Sequence, residues 1–247
     1  PIISVGNLSV GGTGKSPMIE YLITLLSHEY KVGVVSRGYG RKTKGYLEVN
    51  PQHTAVEVGD EPLQFKRKFP DIRVAVCANR VAAIKTLTAH CEIILLDDAY
   101  QHRYVRPAIN ILLTQYHKPY HKDKVLPWGR LREWIKGARR ADIVVVTKCP
   151  ERLAYAHGQS LQIDLKLGED QSFYATSIDY GGYCIGPHQE IEIKDFAKLP
   201  FVLVTGIANP KPLISYLDDL SCEYTHFEFP DHHFFSASDL KKITSMG

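Results

Sequence analysis

The sequence predicts an α/β fold: a mostly parallel sheet flanked by helices, followed by a β-ribbon linker and a smaller C-terminal α/β lobe. Three observations carry that expectation. Short β-branched runs alternate with helix-periodic segments through residues 1–150, a glycine-rich loop joins the first strand to the first helix, and an apolar strand ends in two adjacent aspartates. Residues 1–150 are expected to form the phosphate-binding domain, and 151–247 the ribbon linker and smaller lobe.

The apolar run Ile2 to Val5 stops in Ser9-Val10-Gly11-Gly12-Thr13-Gly14-Lys15-Ser16, and a helical pattern (Met18, Ile19, Tyr21, Leu22, Leu25, Leu26) follows at once. A strand–loop–helix phosphate cradle has this form. Gly11, Gly12 and Gly14 lack a Cβ, so the backbone N–H groups from Gly11 through Thr13 to Ser16 can close around phosphate oxygens. The helix N-terminus adds orphan donors and a partial positive charge. Lys15 is placed to reach the β- and γ-phosphates, and the Ser16 hydroxyl to bind Mg²⁺. Ser9 stands where the full pattern has glycine, while Gly12 to Ser16 is intact.

Lys31 to Ser36 reads as a second strand running into the cationic, glycine-bearing loop Arg37-Gly38-Tyr39-Gly40-Arg41. Gly59-Asp60-Glu61-Pro62 then precedes a helical pattern from Leu63 to Phe69, with Pro62 in the first turn, where its missing N–H costs nothing. Asp60 and Glu61 at a helix N-terminus are explained most simply as caps and dipole partners. The competing reading is a carboxylate held by backbone donors facing the phosphates. Ile72 to Val76 is another strand, and Arg80 opens the next helix, able to pair with phosphate or with Glu61.

Glu92 to Asp98 is the second strong signal. A buried parallel strand delivers its carboxyl end beside the phosphate loop, so Asp97 and Asp98 are candidate magnesium-positioning groups. Gln101, His102 and Arg103 follow directly behind them. Ala108 to Leu113 and Ala141 to Thr147 are further buried strands. The second ends in Thr147-Lys148-Cys149-Pro150, similar to the base-reading corner of guanine-nucleotide proteins but without its aspartate, so guanine specificity is not supported. Between these strands, Trp128, Trp134, Arg130, Arg132, Lys136, Arg139 and Arg140 crowd one stretch. It reads equally as an interfacial segment for a headgroup layer or as core tryptophans with a basic solvent face.

After residue 150 the composition changes. Phe173 to Ile178 and Glu190 to Ile193 alternate as antiparallel ribbons or a sheet extension would. Strand–loop–helix patterning returns at Phe201 to Pro210, and Pro212 to Leu220 reads as a helix. A strand around Tyr224 to Phe229 leads to Asp231-His232-His233, a weak catalytic or metal signal by itself.

A net charge of +3 is too small to imply nucleic acid. The five cysteines are widely spaced without a Cys-x-x-Cys, so neither a disulfide framework nor a zinc site is suggested, and a reducing cytoplasm fits. No apolar run reaches the ~20 residues of a spanning helix. The chain begins with Pro1 directly at a strand and stops at Gly247 just after a helical pattern, so both ends read as trimmed.

Taken together, these motifs closely resemble the tetraacyldisaccharide 4'-kinases of lipid A synthesis. The resemblance runs through Ser9 to Pro17, Ser36 to Gly40, Gly59 to Pro62, Asp97 to Arg103, Leu131-Arg132-Glu133, Gly206 to Pro210 and Phe229 to His233. It departs mildly at Ala99, Tyr100 and Ser16, where many members have Gly, Phe and Thr. The resemblance implies a P-loop kinase-like fold that uses ATP and Mg²⁺ to phosphorylate the 4'-hydroxyl of an acylated glucosamine disaccharide 1-phosphate. It moves Asp60 from helix cap to base for the sugar hydroxyl, with His232 beside it. Asp97 and Asp98 then serve magnesium with Ser16, while Lys15, Glu61, Arg80, Gln101, His102 and Arg132 face phosphate or substrate. It also implies the cytoplasmic face of the inner membrane, peripheral contact with an anionic surface, no obligate protein partner, and a native N-terminal anchor absent from this chain. The alternative from another class is a P-loop switch or partitioning-type ATPase that controls a partner or membrane contact.

Overall fold

In the computed structural model, residues 1–247 are described except 151–152, 154, 187–188, 208, 232, 234 and 246–247. β1 (Ile2–Asn7) feeds the glycine loop, and α1 (Lys15–Leu26) follows. β2 (Val32–Ser36) and the short β3 (Leu47–Glu48) precede α2 (Ala55–Val58) and α3 (Asp60–Lys68). Next come β4 (Arg73–Val76), α4 (Arg80–Leu87), β5 (Ile93–Asp97), β6 (Ile109–Gln115) and β7 (Ile143–Cys149). α5 (Tyr155–Leu165) and β8 (Ser172–Ser177) complete a compact unit that runs from Pro1 to Ile178.

Its eight strands form one sheet in the order β3-β4-β2-β5-β1-β6-β7-β8. Every pairing is parallel except that of β3 with β4 at the edge. The central strands are apolar up to their carboxyl ends, with few exceptions, because both faces are covered: β2 and β5 are buried at every position. Ile19, Ile23, Val34, Phe65 and Leu95 pack one core, while Leu8, Tyr100, Leu112, Tyr120 and Leu131 pack another. β1 lies between β5 and β6, so the carboxyl ends of all three open at the phosphate loop, the crevice where open α/β sheets place ligands.

The expected division after residue 150 falls inside this unit. β8 pairs in parallel with β7 and extends the large sheet, so the alternating run Phe173 to Ser177 is a sheet strand, not part of a ribbon. The ribbon lies further on.

The second unit, Asp179–Gly247, pairs β9 (Tyr183–Ile185) with β10 (Glu190–Glu192) antiparallel, and α6 (Ile193–Phe196) follows. β11 (Phe201–Thr205) and β12 (Tyr224–Glu228) pair in parallel, joined through α7 (Lys211–Asp219). α8 (Ala237–Thr244) starts at a capping box of Ser236 and Asp239. Hydrogen bonds from Ser236 pull the Asp239 carboxyl down to about 2, with the His233 ring 3.2 Å from Asp239 Oδ2. All five cysteines are free, and Cys77, Cys91 and Cys149 are buried as small apolar groups.

Candidate active site

Gly11 (φ 101°) and Gly14 (φ 89°) adopt the left-handed conformation that the loop's reversal into α1 demands, a region costly for side chains with a Cβ. The loop is braced from below and from the side. Asn7 Nδ2 donates to Thr13 Oγ1 at 2.6 Å, and Thr147 Oγ1 donates to the Thr13 carbonyl at 2.9 Å. Val10 N donates to the Arg130 carbonyl at 2.8 Å, and Arg132 N to the Leu8 carbonyl at 2.6 Å. The segment carrying Trp128 and Trp134 is thus stitched to the loop by its backbone.

At the start of α1, the Ser16 hydroxyl donates to Glu61 Oε1. Glu61 is in the first turn of α3, one residue after Asp60, whose Oδ1 accepts from Glu61 N at 3.0 Å. That turn is positioned by a glycine contact: a Cβ on Gly59 would lie 3.1 Å from Gly38 Cα. The loop after β2 and the acidic turn can approach only because neither residue has a side chain.

Asp97 ends β5 with 1% exposure. Its Oδ2 accepts from Ser36 Oγ at 2.9 Å, while its Oδ1 is buried with no partner among the described residues. Burial, reinforced by the charge of Glu61, pushes its carboxyl up to about 7. Asp98 follows at φ 45°, a left-handed turn that swings its carboxylate toward a different set of partners. Arg132 grips it with Nη1 to Oδ2 at 3.0 Å and Nη2 to Oδ1 at 2.7 Å, and Lys15 Nζ stands 3.8 Å from Oδ1. Burial alone would raise the Asp98 carboxyl, but the Arg132 hydrogen bonds and the Lys15 charge hold it below the ordinary range.

The remaining predicted residues surround this pair. Arg80, 5% exposed, donates to the carbonyls of Cys77 and Ala78, and its Nε has no partner among the described residues. Burial and the charge of Arg37 lower its pKa, while Asp97 and Asp98 act in the opposite direction. Gln101 Nε2 donates to the Asn7 carbonyl at 2.9 Å and to Glu133 Oε1 at 3.0 Å. His102 Nε2 is buried with no partner among the described residues, and burial draws its pKa down. His232 lies outside the described residues.

Residues 1–246 of the chain match the family model described as LpxK, tetraacyldisaccharide-1-P 4'-kinase. The chain belongs to this family. A Flavobacterium johnsoniae protein named tetraacyldisaccharide 4'-kinase is 49% identical over 98% of the chain and 72% of its own length. A Parabacteroides distasonis protein of the same name is 46% identical over 98% and 68%. A crystal structure of LpxK from Aquifex aeolicus in complex with ATP superposes with a TM-score of 0.75 at 30% identity, covering 96% of this chain and 73% of that one. Its similarity agrees with the α/β, mostly parallel kinase-like architecture expected from the sequence.

For a kinase of the LpxK family, a magnesium ion is expected beside the triphosphate, and the residues present suit one. A buried carboxylate oxygen without a donor on Asp97, a second carboxylate on Glu61 and the Ser16 hydroxyl form a hard oxygen set. Among the described residues no three His, Cys, Asp or Glu side chains converge as a complete cage. Mg²⁺ needs none, since it keeps waters and takes phosphate oxygens. Of the residues expected at metal or phosphate, Ser16 meets Glu61, and Asp98 is held by Arg132 and Lys15.

Sequence reading passed over Asn7, Gln115, Thr147 and Lys148 as loop partners. Gln115 Nε2 and Lys148 Nζ both donate to the Gly12 carbonyl, at 2.7 and 2.8 Å. Strand-end polar residues at the carboxyl edge of β1, β6 and β7 were the available signal. Glu133, quoted only as part of a motif, anchors Arg140, Arg103 and Gln101 together.

Proposed function

We infer that this chain transfers the γ-phosphoryl group of ATP to the 4'-hydroxyl of an acylated glucosamine disaccharide 1-phosphate, the reaction of lipid A synthesis named by its family. The observation that carries this is the meeting of Lys15, Ser16, Glu61, Asp97 and Asp98 at the end of a phosphate loop in a chain matched over residues 1–246 by that family.

The backbone N–H groups from Gly11 to Ser16 cradle the phosphates, and Lys15 offsets the charge of the β- and γ-groups. Ser16, Asp97 and Glu61 would hold Mg²⁺, with Asp98 keeping Lys15 and Arg132 in place. A magnesium ion held there would supply charge neutralisation at the phosphate oxygens. Asp60 orients the 4'-hydroxyl and accepts its proton late in a loose transition state, and His232 is the second residue assigned to that step. Arg80, Arg132, Gln101 and His102 meet acceptor or phosphate charge as the site fills. We assign residues 1–178 to nucleotide binding and 179–247 to supplying His232.

ATP consumption measured with and without an acylated disaccharide 1-phosphate tests the reading. Consumption that depends on the acceptor is expected, whereas slow hydrolysis indifferent to it would favour a switch-type ATPase. Asp60→Ala is expected to lower turnover by orders of magnitude with the fold kept. Near-wild-type turnover would remove Asp60 as the base.

A peripheral contact with an anionic membrane surface completes the reading. Trp128 and Trp134 are 82% and 76% exposed, so neither is a core residue. Exposed Lys124, Lys136, Arg139, Leu126 and Ile135 accompany them, the mixture that suits a headgroup layer. Among the described residues no helix is long and apolar enough to cross a membrane. Replacing Trp128 and Trp134 with alanine is expected to weaken sedimentation with anionic liposomes, and unchanged binding would reject the contact.

A further inference from the structure

The underside of the phosphate loop is held by side chains from two strand ends. Gly12 presents its carbonyl to Gln115 Nε2 at 2.7 Å and Lys148 Nζ at 2.8 Å, and the neighbouring Thr13 carbonyl accepts from Thr147 Oγ1 at 2.9 Å. Two successive peptide planes are therefore pinned by three donors. Lys148 reaches the loop through a local irregularity. The pairing of β7 with β8 shifts register between Val146 and Cys149, and Lys148 there takes φ 58°. A bulge of this kind re-aims one side chain out of the alternating pattern of a strand. A lysine in the left-handed region is also uncommon enough to need a compensating contact. Burial lowers the lysine's pKa, in keeping with a cation drawn against the protein.

We propose that Gln115, Thr147 and Lys148 are positioning residues that clamp the Gly12 and Thr13 carbonyls against the sheet, leaving the loop preset to receive a triphosphate. In a trans peptide the C=O and N–H point in opposite directions. Holding the Thr13 carbonyl toward β7 therefore aims the Gly14 N–H away from it, toward the cradle. Without the clamp these planes can rotate and present carbonyl oxygens to the phosphates, which repel them. Lys148 also brings positive charge to the loop without touching the nucleotide. The proposal rests on the nucleotide site inferred above.

The test compares binding of Mg²⁺-ATP and of Mg²⁺-tripolyphosphate to the whole chain by calorimetry, for wild type, Lys148→Met and Gln115→Met. Loss of a charge-assisted hydrogen bond predicts about tenfold weaker binding for Lys148→Met, by a similar factor for both ligands. Gln115→Met should show a smaller loss of the same kind. In turnover, the KM for ATP should rise while the KM for the acylated acceptor stays, and Lys148→Arg should recover most of the affinity. Weaker ATP binding with unchanged tripolyphosphate binding would mean that Lys148 contacts the base, and would overturn the clamp. So would unchanged binding of both, or a parallel rise in both KM values with a lowered melting temperature. If Lys148→Met does not fold, Gln115→Met and Thr147→Val carry the same comparison. A wild-type chain that binds neither ligand would defeat the nucleotide reading itself.

Discussion

Asp97 enters the interior at the end of β5, where among the described residues only Ser36 donates to it, while Glu61 adds a second negative charge nearby. Its carboxyl titrates at about 7 in the fold, against about 3.9 in an unfolded chain. Between these values the native state binds more protons than the unfolded one. Its stabilising contribution is therefore complete below the lower value and is lost as pH rises through the upper. Without Mg²⁺, wild-type melting temperature should fall from about pH 5 to about pH 8 more steeply than that of Asp97→Asn. The variant should match or exceed wild type at the alkaline end, yet lose turnover by orders of magnitude. Parallel melting profiles would show that Asp97 carries no such load. The acidic strand end was legible at Asp97 because a charged residue closing an apolar run has few structural explanations. The contacts of Asp98 and Glu61 were not, because a left-handed turn at one and a hydroxyl partner for the other depend on residues far along the chain.

The carboxyl ends of β1 and β5 bring the loop and the segment after Asp98 into contact with no room to spare. A Cβ on Gly6 would lie 2.6 Å from Tyr100 Cβ and 3.0 Å from its backbone N. That closeness lets Gln101 and Arg132 reach the Asn7 carbonyl. Gly6→Ala should destabilise the fold by about 1–3 kcal/mol through overpacking, a melting-temperature loss of about 2–4 °C for each kcal/mol. It should also weaken ATP binding, since the displaced backbone carries the bracing of the loop. Gly33→Ala is the control: its Cβ would meet Cys91 Sγ at 2.8 Å, at a place unconnected with the loop. Equal effects of the two substitutions on ATP affinity, at matched stability, would refute a specific role for the β1–Tyr100 contact. The strands themselves were readable from their β-branched runs, since burial on both faces leaves little choice of residue. The antiparallel β3 and helix α5 escaped notice because neither carries a strong period.

For the whole molecule, the boundary between the two compact units decides what can work alone. Because β8 covers the edge of β7, a fragment ending at Ile178 should unfold cooperatively and bind Mg²⁺-ATP, whereas one ending at Pro150 leaves that edge bare and should aggregate or melt early. The longer fragment should nevertheless fail to phosphorylate the acceptor if His232 acts as proposed. Calorimetric unfolding and nucleotide titration of both fragments check this, and equal behaviour of the two would return the boundary to residue 150. The phosphate loop, the buried strands, the acidic strand end and the family were determined by the sequence itself, since each is a local pattern set by backbone freedom, burial or adjacent charge. Only the tertiary structure decided which side chains meet. Ser16 and Glu61 are 45 positions apart, Asp98 and Arg132 are 34, and Gly12 and Lys148 are 136. Such pairings are fixed by strand order and by a bulge in β7, and no local pattern encodes either.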